Sequence, residues 1–469
     1  MKGIRRGRLL LLAAAAVALS VPGLPQPSRI VVNPAQKFQV MAGFGVNFNG
    51  TYFREEQKRL IDMLVEDLGA TIFRLDPYGL SNWETINDND DPNVINWEYF
   101  NDRYSIPAFE ASWAASRYLN SKGVRPFLTL SGIAPSWMLD LPPAEPNRKP
   151  PAQADHLRAD MHAEFAEMIV SFLLYARHKA RVDYEYFSPV NETNLPPREG
   201  PGITPAEMPQ FLKILAQRMR KEGLADVRLV VADQAGLRDD YIGPILNEAE
   251  LMKQVGVFSL HTYSSKETIA PHVERVRNSS FAETPVWLTE YGDLNDRDFT
   301  AGNEWRNFCL SATERVIRAI NDGASAALFW DAYDNFHEHD QRITYYGLVK
   351  NTDHIYSPKK RYYAAKQLYG FVRPGSQRIG VSGAAPGIML TAFQDGKSGS
   401  LVVVGLKRGV AGRLGISIPE EAAAPSEWTL YQTTPDWNCA RTAVLKPVRE
   451  TVWLDLPAET IFTLVGPLH

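Results

Sequence analysis

Residues 43–76 read GFGVNFNGTYFREEQKRLIDMLVEDLGATIFRLD, one complete unit of a repeating pattern. GFGVNF (43–48) and TIFRLD (71–76) are short β-rich runs. Between them Leu60, Ile61, Leu64, Val65 and Leu68 recur at helical spacing and stop at Gly69, a residue type suited to a helix C-terminus. A strand, an amphipathic helix, a glycine and a second strand predict a parallel pair joined by a crossover helix. Six more β-rich runs follow: RPFLTL (125–130), YFSPVNE (186–192), RLVVAD (228–233), VFSLHTY (257–263), VWLTEYG (286–292) and AALFWDAY (326–333). Gly123, Gly223, Gly256 and Gly323 close helices ahead of four of them. Near-continuous apolar runs are what strands buried on both faces require. Eight strands alternating with helices over about 290 residues therefore predict an α/β protein built on a (β/α)8 TIM barrel. An open doubly wound sheet is the alternative, but its first strand lacks the glycine fingerprint that would cradle a phosphate.

Beyond residue 356 the pattern changes. A helix rich in Lys, Arg and Tyr (SPKKRYYAAKQLYGFV, 357–372) gives way to the strand-like runs 387–395, 400–408, 412–418, 427–434 and 459–466. Turn residues at close intervals between them predict an attached C-terminal β-sandwich. RIVVNPAQKFQVMAG (29–43) is also β-like and is expected to add a strand to that sandwich. At the start, Lys2, Arg5, Arg6 and Arg8 precede an apolar run from Leu9 to Leu19 and the small Ser20, which reads as a secretory signal peptide. Eleven apolar residues are too few to span a bilayer as a helix. The expected organisation is thus a signal peptide (1–20), an N-terminal strand of the sandwich (28–42), a barrel (43–356) and a linking helix with the sandwich (357–469), in a secreted or periplasmic protein with no membrane attachment after cleavage.

The 469 residues are 45% hydrophobic and 22% charged, a globular composition that excludes a disordered or multi-span membrane chain. Without the four positive charges of residues 1–20 the formal net charge falls from −4 to −8, unfavourable for binding nucleic acid. Two cysteines, Cys309 and Cys439, make no disulfide framework.

Barrel active sites form where the strands end at the C-terminal face. Glu192 ends the fourth run in SPVNET (188–193), and Glu290 ends the seventh in WLTEYG (287–292). One strand-end glutamate is an ordinary rim charge; two suggest glycoside hydrolysis, which needs one carboxyl to protonate the leaving oxygen and another to attack the anomeric carbon or activate water. Asn-Glu on strand four with a second Glu on strand seven resembles the clan A retaining glycoside hydrolases. GFGVNF, APSWM (134–138), WLTEYG and LPAETIFTLVG (456–466) further resemble glycoside hydrolase family 30, as does a flanking sandwich completed by an N-terminal strand. Thr193 stands where the clan often has proline.

The resemblance implies a retaining hydrolase acting on a β-linked polysaccharide or oligosaccharide through a covalent glycosyl-enzyme, without a cofactor, with Glu192 as general acid/base and Glu290 as nucleophile. Arg74 is expected to hold Glu290 ionised, or else to pair with Asp76. Asn191 is expected to bind the sugar 2-hydroxyl, His261 and Tyr263 to line the site with Tyr263 donating to Glu290, Trp330 to form a stacking platform, and Trp137 to contribute a subsite. The run Asp331, Asp334, His337, Glu338, His339 and Asp340 lacks a recognised metal-ligand spacing and reads as a polar loop beside a sugar subsite, and NDND (87–90) with Asp91 as a solvated loop. A transglycosylase sharing the intermediate, and a non-catalytic carbohydrate-binding protein on a barrel scaffold, are the competing readings.

Overall fold

Eight parallel strands close into a barrel: Gly43–Asn49, Ile72–Asp76, Phe127–Thr129, Tyr186–Ser188, Arg228–Gln234, Val255–Thr262, Val286–Tyr291 and Ala326–Phe329. Each pairs with the next, and the eighth pairs with the first through Ala326↔Gly43 to Phe329↔Val46. The computed structural model describes residues 28–77, 83–140, 155–195, 199–264, 266–337 and 340–468. The signal-peptide reading of residues 1–20 lies outside them, as do parts of the long loops after strands two and three. Among the described residues no helix is long and apolar enough to cross a membrane.

The barrel interior is filled rather than hollow. Trp287 on strand seven meets Phe127 on strand three and Tyr186 on strand four, at centroid distances of 6.4 and 5.1 Å, contacts that non-adjacent strands make only through the barrel. With Val230, Val257 and Leu328 these rings form an apolar floor beneath the polar mouth. At Gly45 a Cβ would lie 1.9 Å from the carbonyl oxygen of Ile72, so the first two strands pack where only glycine fits.

Nine further strands form a sheet in the order Ala440–Leu445, Trp428–Thr433, Thr460–Gly466, Leu401–Lys407, Ile388–Gln394, Gln377–Ser382, Ser28–Val40, Gly412–Ser417, Thr451–Leu456, and among the described residues three short two-stranded sheets lie in the barrel loops. Leu454 and Leu456 from one end share a single apolar core with Trp428 and Leu430 from near the other, so the sheet curls over its own filling. Ser28–Val40 runs antiparallel to Gln377–Ser382 and parallel to Gly412–Ser417. Three strands, Gln377–Ser382, Ala440–Leu445 and Thr451–Leu456, go beyond the runs legible in the sequence. Between barrel and sheet lies the helix Lys360–Tyr369: Tyr369 stacks on Phe44 at 5.1 Å, and Gln367 donates to Thr433 Oγ1 at 2.9 Å. A separate cluster of Trp305, Cys309, Leu310 and Ile317 from the barrel with Leu406 and Ile461 from the sheet seals the junction. Cys309 and Cys439 are both free thiols.

Candidate active site

Closing the barrel brings the ends of strands two, four, five, six and seven around one polar cluster. Arg74, 1% exposed, is its hub. Its Nη1 donates to Glu290 Oε1 at 2.6 Å and to Asn47 Oδ1 at 2.9 Å, and its Nη2 to Asn191 Oδ1 at 2.7 Å and Asp233 Oδ2 at 3.2 Å. Burial opposes its charge, but Asp233 and Glu290 hold the guanidinium firmly cationic. Asp76, the alternative partner weighed from sequence, instead accepts a hydrogen bond from Ser131.

Glu290 receives its second short bond from Tyr263, whose hydroxyl donates to Oε2 at 2.6 Å. Burial pushes the Glu290 carboxyl up; His261 and Arg74 pull against that, while Glu192 adds to it. With a donor on each oxygen, the geometry favours the carboxylate.

Glu192 is served differently. His261 Nδ1 lies 2.7 Å from its Oε1, leaving Oε2 for another partner. His261 Nε2 points to Asp233 Oδ1 at 3.5 Å. Burial alone would strip the imidazole of its proton, but Glu290, Asp233 and Glu192 together raise it to about 10, so it is an imidazolium near neutrality. Burial works against the charge of Asp233 too, yet Arg74 and His261 hold its carboxyl well below the usual range. Glu192 and Asp233 both sit at positive φ, 45° and 49°, and the Glu192 amide donates to the Asp233 carbonyl at 2.7 Å. Left-handed backbone in non-glycine residues costs of order 1–3 kcal/mol each and concentrates at functional sites.

The cavity over this cluster is lined by Arg74, Asp76, Ser131, Asn191, Glu192, Glu199, Tyr263, Glu290 and Trp330, together with Leu294, His337, Asp340 and Tyr346. Two sequence expectations change here. His261 is fully buried behind the carboxylates, so it positions Glu192 rather than touching substrate. Trp137 does not line the cavity: its Nε1 donates to the Glu84 carbonyl at 2.9 Å, which turns the ring toward the neighbouring loop.

Asp233, Asn47 and Glu199 were not legible as site residues. Glu199 is clasped into place, its carbonyl accepting from Asn191 Nδ2 at 3.2 Å, and the next residue, Gly200, passes so close that a Cβ would meet Asn191 O at 1.9 Å. Burial, with Glu192, Glu290 and Asp340, pushes the Glu199 carboxyl up to about 8.

Glu192, His261 and Glu290 each offer a ligand atom within 4.8 Å of the others. A protonated imidazole has no lone pair for a metal, and Arg74 and Tyr263 already donate to Glu290, so the trio reads as a proton-bearing network. In the strand-eight run, Asp331 accepts from Asn335 Nδ2 at 2.7 Å and pairs with His337 at 3.2 Å, and Asp334 pairs with Lys359; Glu338 and His339 lie outside the described residues.

No family model matches the sequence. Solved structures do match. A family GH30 endoxylanase from Clostridium papyrosolvens superposes with a TM-score of 0.71 at 21% identity, over 94% of this chain and 100% of that one. An endo-β-1,6-glucanase gives 0.69 at 16% identity, over 96% and 95%. A family GH39 β-xylosidase from Caulobacter crescentus gives 0.59 at 16%, over 93% and 99%. The barrel with its attached sheet is a fold this chain shares with these glycoside hydrolases along nearly its whole length.

Proposed function

We propose that this chain is a secreted retaining glycoside hydrolase that cleaves a β-linked polysaccharide or oligosaccharide, with Glu290 as nucleophile and Glu192 as general acid/base. One observation carries the reading: strand-end carboxylates on strands four and seven approach within 4.8 Å of each other in a buried mouth. That proximity suits a covalent intermediate, for which the carboxyl groups stand about 5–5.5 Å apart; inversion needs about 6.5–9.5 Å to seat a water. The different partners of the two acids support different roles. Arg74 and Tyr263 grip Glu290 and aim it as an anion at the anomeric carbon. Glu192 is held by one oxygen only, leaving Oε2 to pass a proton to the departing glycosidic oxygen and later to take one from the incoming water. Asn191, held by Arg74 at Oδ1 and by the Glu199 carbonyl at one Nδ2 hydrogen, keeps its second Nδ2 hydrogen for the sugar 2-hydroxyl, a contact that strengthens as positive charge develops on the ring. A fold shared with a xylanase and a β-1,6-glucanase supports a β-linked polymer as substrate. The charged start and short apolar run of residues 1–20 support export.

The test separates the carboxylates by how they fail. Glu290→Ala removes the nucleophile, and turnover should drop by roughly 10⁴-fold or more on every substrate. Glu192→Ala removes the proton donor and later base, so aryl glycosides with good leaving groups should still form the intermediate, and azide should restore its breakdown. Azide should yield a β-glycosyl azide from Glu192→Ala and an α-glycosyl azide from Glu290→Ala. Opposite anomers would reverse the roles, and wild-type rates in both variants would sink the assignment. Product analysis at low and high acceptor-sugar concentration distinguishes hydrolysis from glycosyl transfer.

A further inference from the structure

Among the large apolar side chains that the loops after barrel strands seven and eight hold in solvent are Leu294, Phe299 and Tyr345, which are 49%, 72% and 38% exposed. Single exposed apolar residues are ordinary, but a contiguous group is not. Phe299 and Tyr345 meet edge to face with centroids 5.0 Å apart. The group is continuous with the catalytic mouth, because Leu294 and Tyr346 line the same cavity as Glu192 and Glu290.

The backbone beneath these rings is held from several sides. Asp296 is buried and accepts from Arg342 at 2.6 and 3.0 Å and from the Tyr345 amide at 3.0 Å, tying the two loops together. Arg342 also donates to the Tyr346 hydroxyl at 3.3 Å. From behind, Lys359 donates to the Tyr345 carbonyl at 3.1 Å, and Arg361 to the Tyr345 and Tyr346 carbonyls at 3.1 and 3.0 Å. Arg361 is itself fixed by Glu304. Phe299 lies between Asp298 and Thr300: Asp298 accepts from the Thr300 amide at 3.0 Å, and Thr300 caps the turn beyond it by accepting from Asn303 N at 3.1 Å. Rings left in water on so constrained a frame add little to the core, yet they are pre-ordered for stacking against the apolar face of a sugar.

We propose that Phe299 and Tyr345, joined to the cleft by Leu294 and Tyr346, form a carbohydrate-binding platform that holds a β-linked sugar unit of the substrate chain beyond the units at the cleavage point. This rests on the hydrolase reading and deepens it: the substrate is a chain long enough to reach both the carboxylates and the platform. Such contacts are made equally in ground state and transition state, so they appear in KM rather than kcat.

The test uses the full-length chain and the Phe299→Ala, Tyr345→Ala, double-alanine and Phe299→Tyr variants. The substrates are the fastest-cleaved polymer among β-1,3-, β-1,4- and β-1,6-glucans, xylan and galactan, and the shortest aryl β-glycoside the wild type turns over. Each single alanine variant should lose about tenfold in kcat/KM on the polymer through KM, keep its rate on the aryl glycoside, and retain the wild-type melting temperature. Phe299→Tyr, which keeps an aromatic ring, should retain the wild-type polymer rate. Unchanged polymer kinetics in the double variant overturns the platform while the hydrolase reading stands. Equal losses on polymer and aryl glycoside overturn it too, since they mark a disturbed catalytic site. If the wild type cleaves nothing, the hydrolase reading fails and the platform with it.

Discussion

His261 has three acids for neighbours and no exposure to water, so its charge is set by the protein alone. Burial favours the neutral ring, and Glu290, Asp233 and Glu192 overcome it, lifting its pKa to about 10. Replacing Asp233 with Asn removes one of these anions. The imidazolium should then titrate at lower pH, so the alkaline limb of the kcat/KM profile should move acidward. The rate at the optimum should fall by about 100-fold as Arg74 and His261 lose a shared anchor. A profile whose alkaline limb stays in place would mean that the His261 charge plays no part. Asp233 also shows where the sequence stops being informative. It ends the run RLVVAD much as Glu290 ends WLTE, but a lone strand-end acid reads as a rim charge until the barrel closes and sets strand five between strands four and six. Glu192 and Glu290 were legible because each lies in a run with its own family-like surroundings. Trp137 misled for the opposite reason, because an aromatic after strand three suggests a subsite and only the course of the loop carrying Glu84 turns its ring nitrogen away.

On the helix His162–His178, Glu164 and Glu167 are buried against Asp88 of the loop that follows strand two, a burial no motif in the sequence signals. Glu84 and Glu167 are both fully buried beside further acids, with Asp88 close to each carboxyl. In the NDND loop, Asp90 and Asp91 are exposed as expected, while Asp88 turns partly inward toward Glu84. Burial, with Asp88 and Glu164 beside it, raises Glu167 from 4.5 to about 8. Glu84 rises to about 10 for the same reasons. The sign follows: above pH 4.5 the unfolded chain releases a proton that the native Glu167 retains up to about pH 8, so stability falls with rising pH across that window, at up to about 1.4 kcal/mol per pH unit for this group. Glu167→Gln keeps the shape and cannot ionise. Its melting temperature should decline less steeply than the wild type's between pH 5 and 8 and should exceed it at pH 8. Parallel curves for the two proteins would show that Glu167 ionises normally in the folded chain.

At the scale of the whole molecule the sheet completes the barrel rather than hanging from it. The strand Ser28–Val40 enters the barrel at Gly43, yet its strand partners are Gln377–Ser382 and Gly412–Ser417, from the far end of the chain. Ile30 and Val32 are buried only within the sheet's own core. On the barrel side, Trp305, Cys309, Leu310 and Ile317 rely on Leu406 and Ile461 for cover. A chain cut after residue 372 keeps the helix Lys360–Tyr369 but removes Thr433 and Thr463, which bond Gln367, at 2.9 Å in the case of Thr433 and 2.6 Å in that of Thr463. It would leave one strand without neighbours, a contiguous apolar face in water and a fully buried glutamine stripped of its partners. Expression of residues 28–372 should therefore give aggregated protein, and the full chain should melt in one transition that carries barrel and sheet together. A milder variant tests the same coupling without deleting anything: Ile461→Ala opens a cavity at the junction worth about 2–5 kcal/mol and should lower that single transition without splitting it. A soluble, active 28–372 fragment, or two separate transitions in the full chain, would mean that the barrel stands alone and the sheet serves some other purpose than its stability.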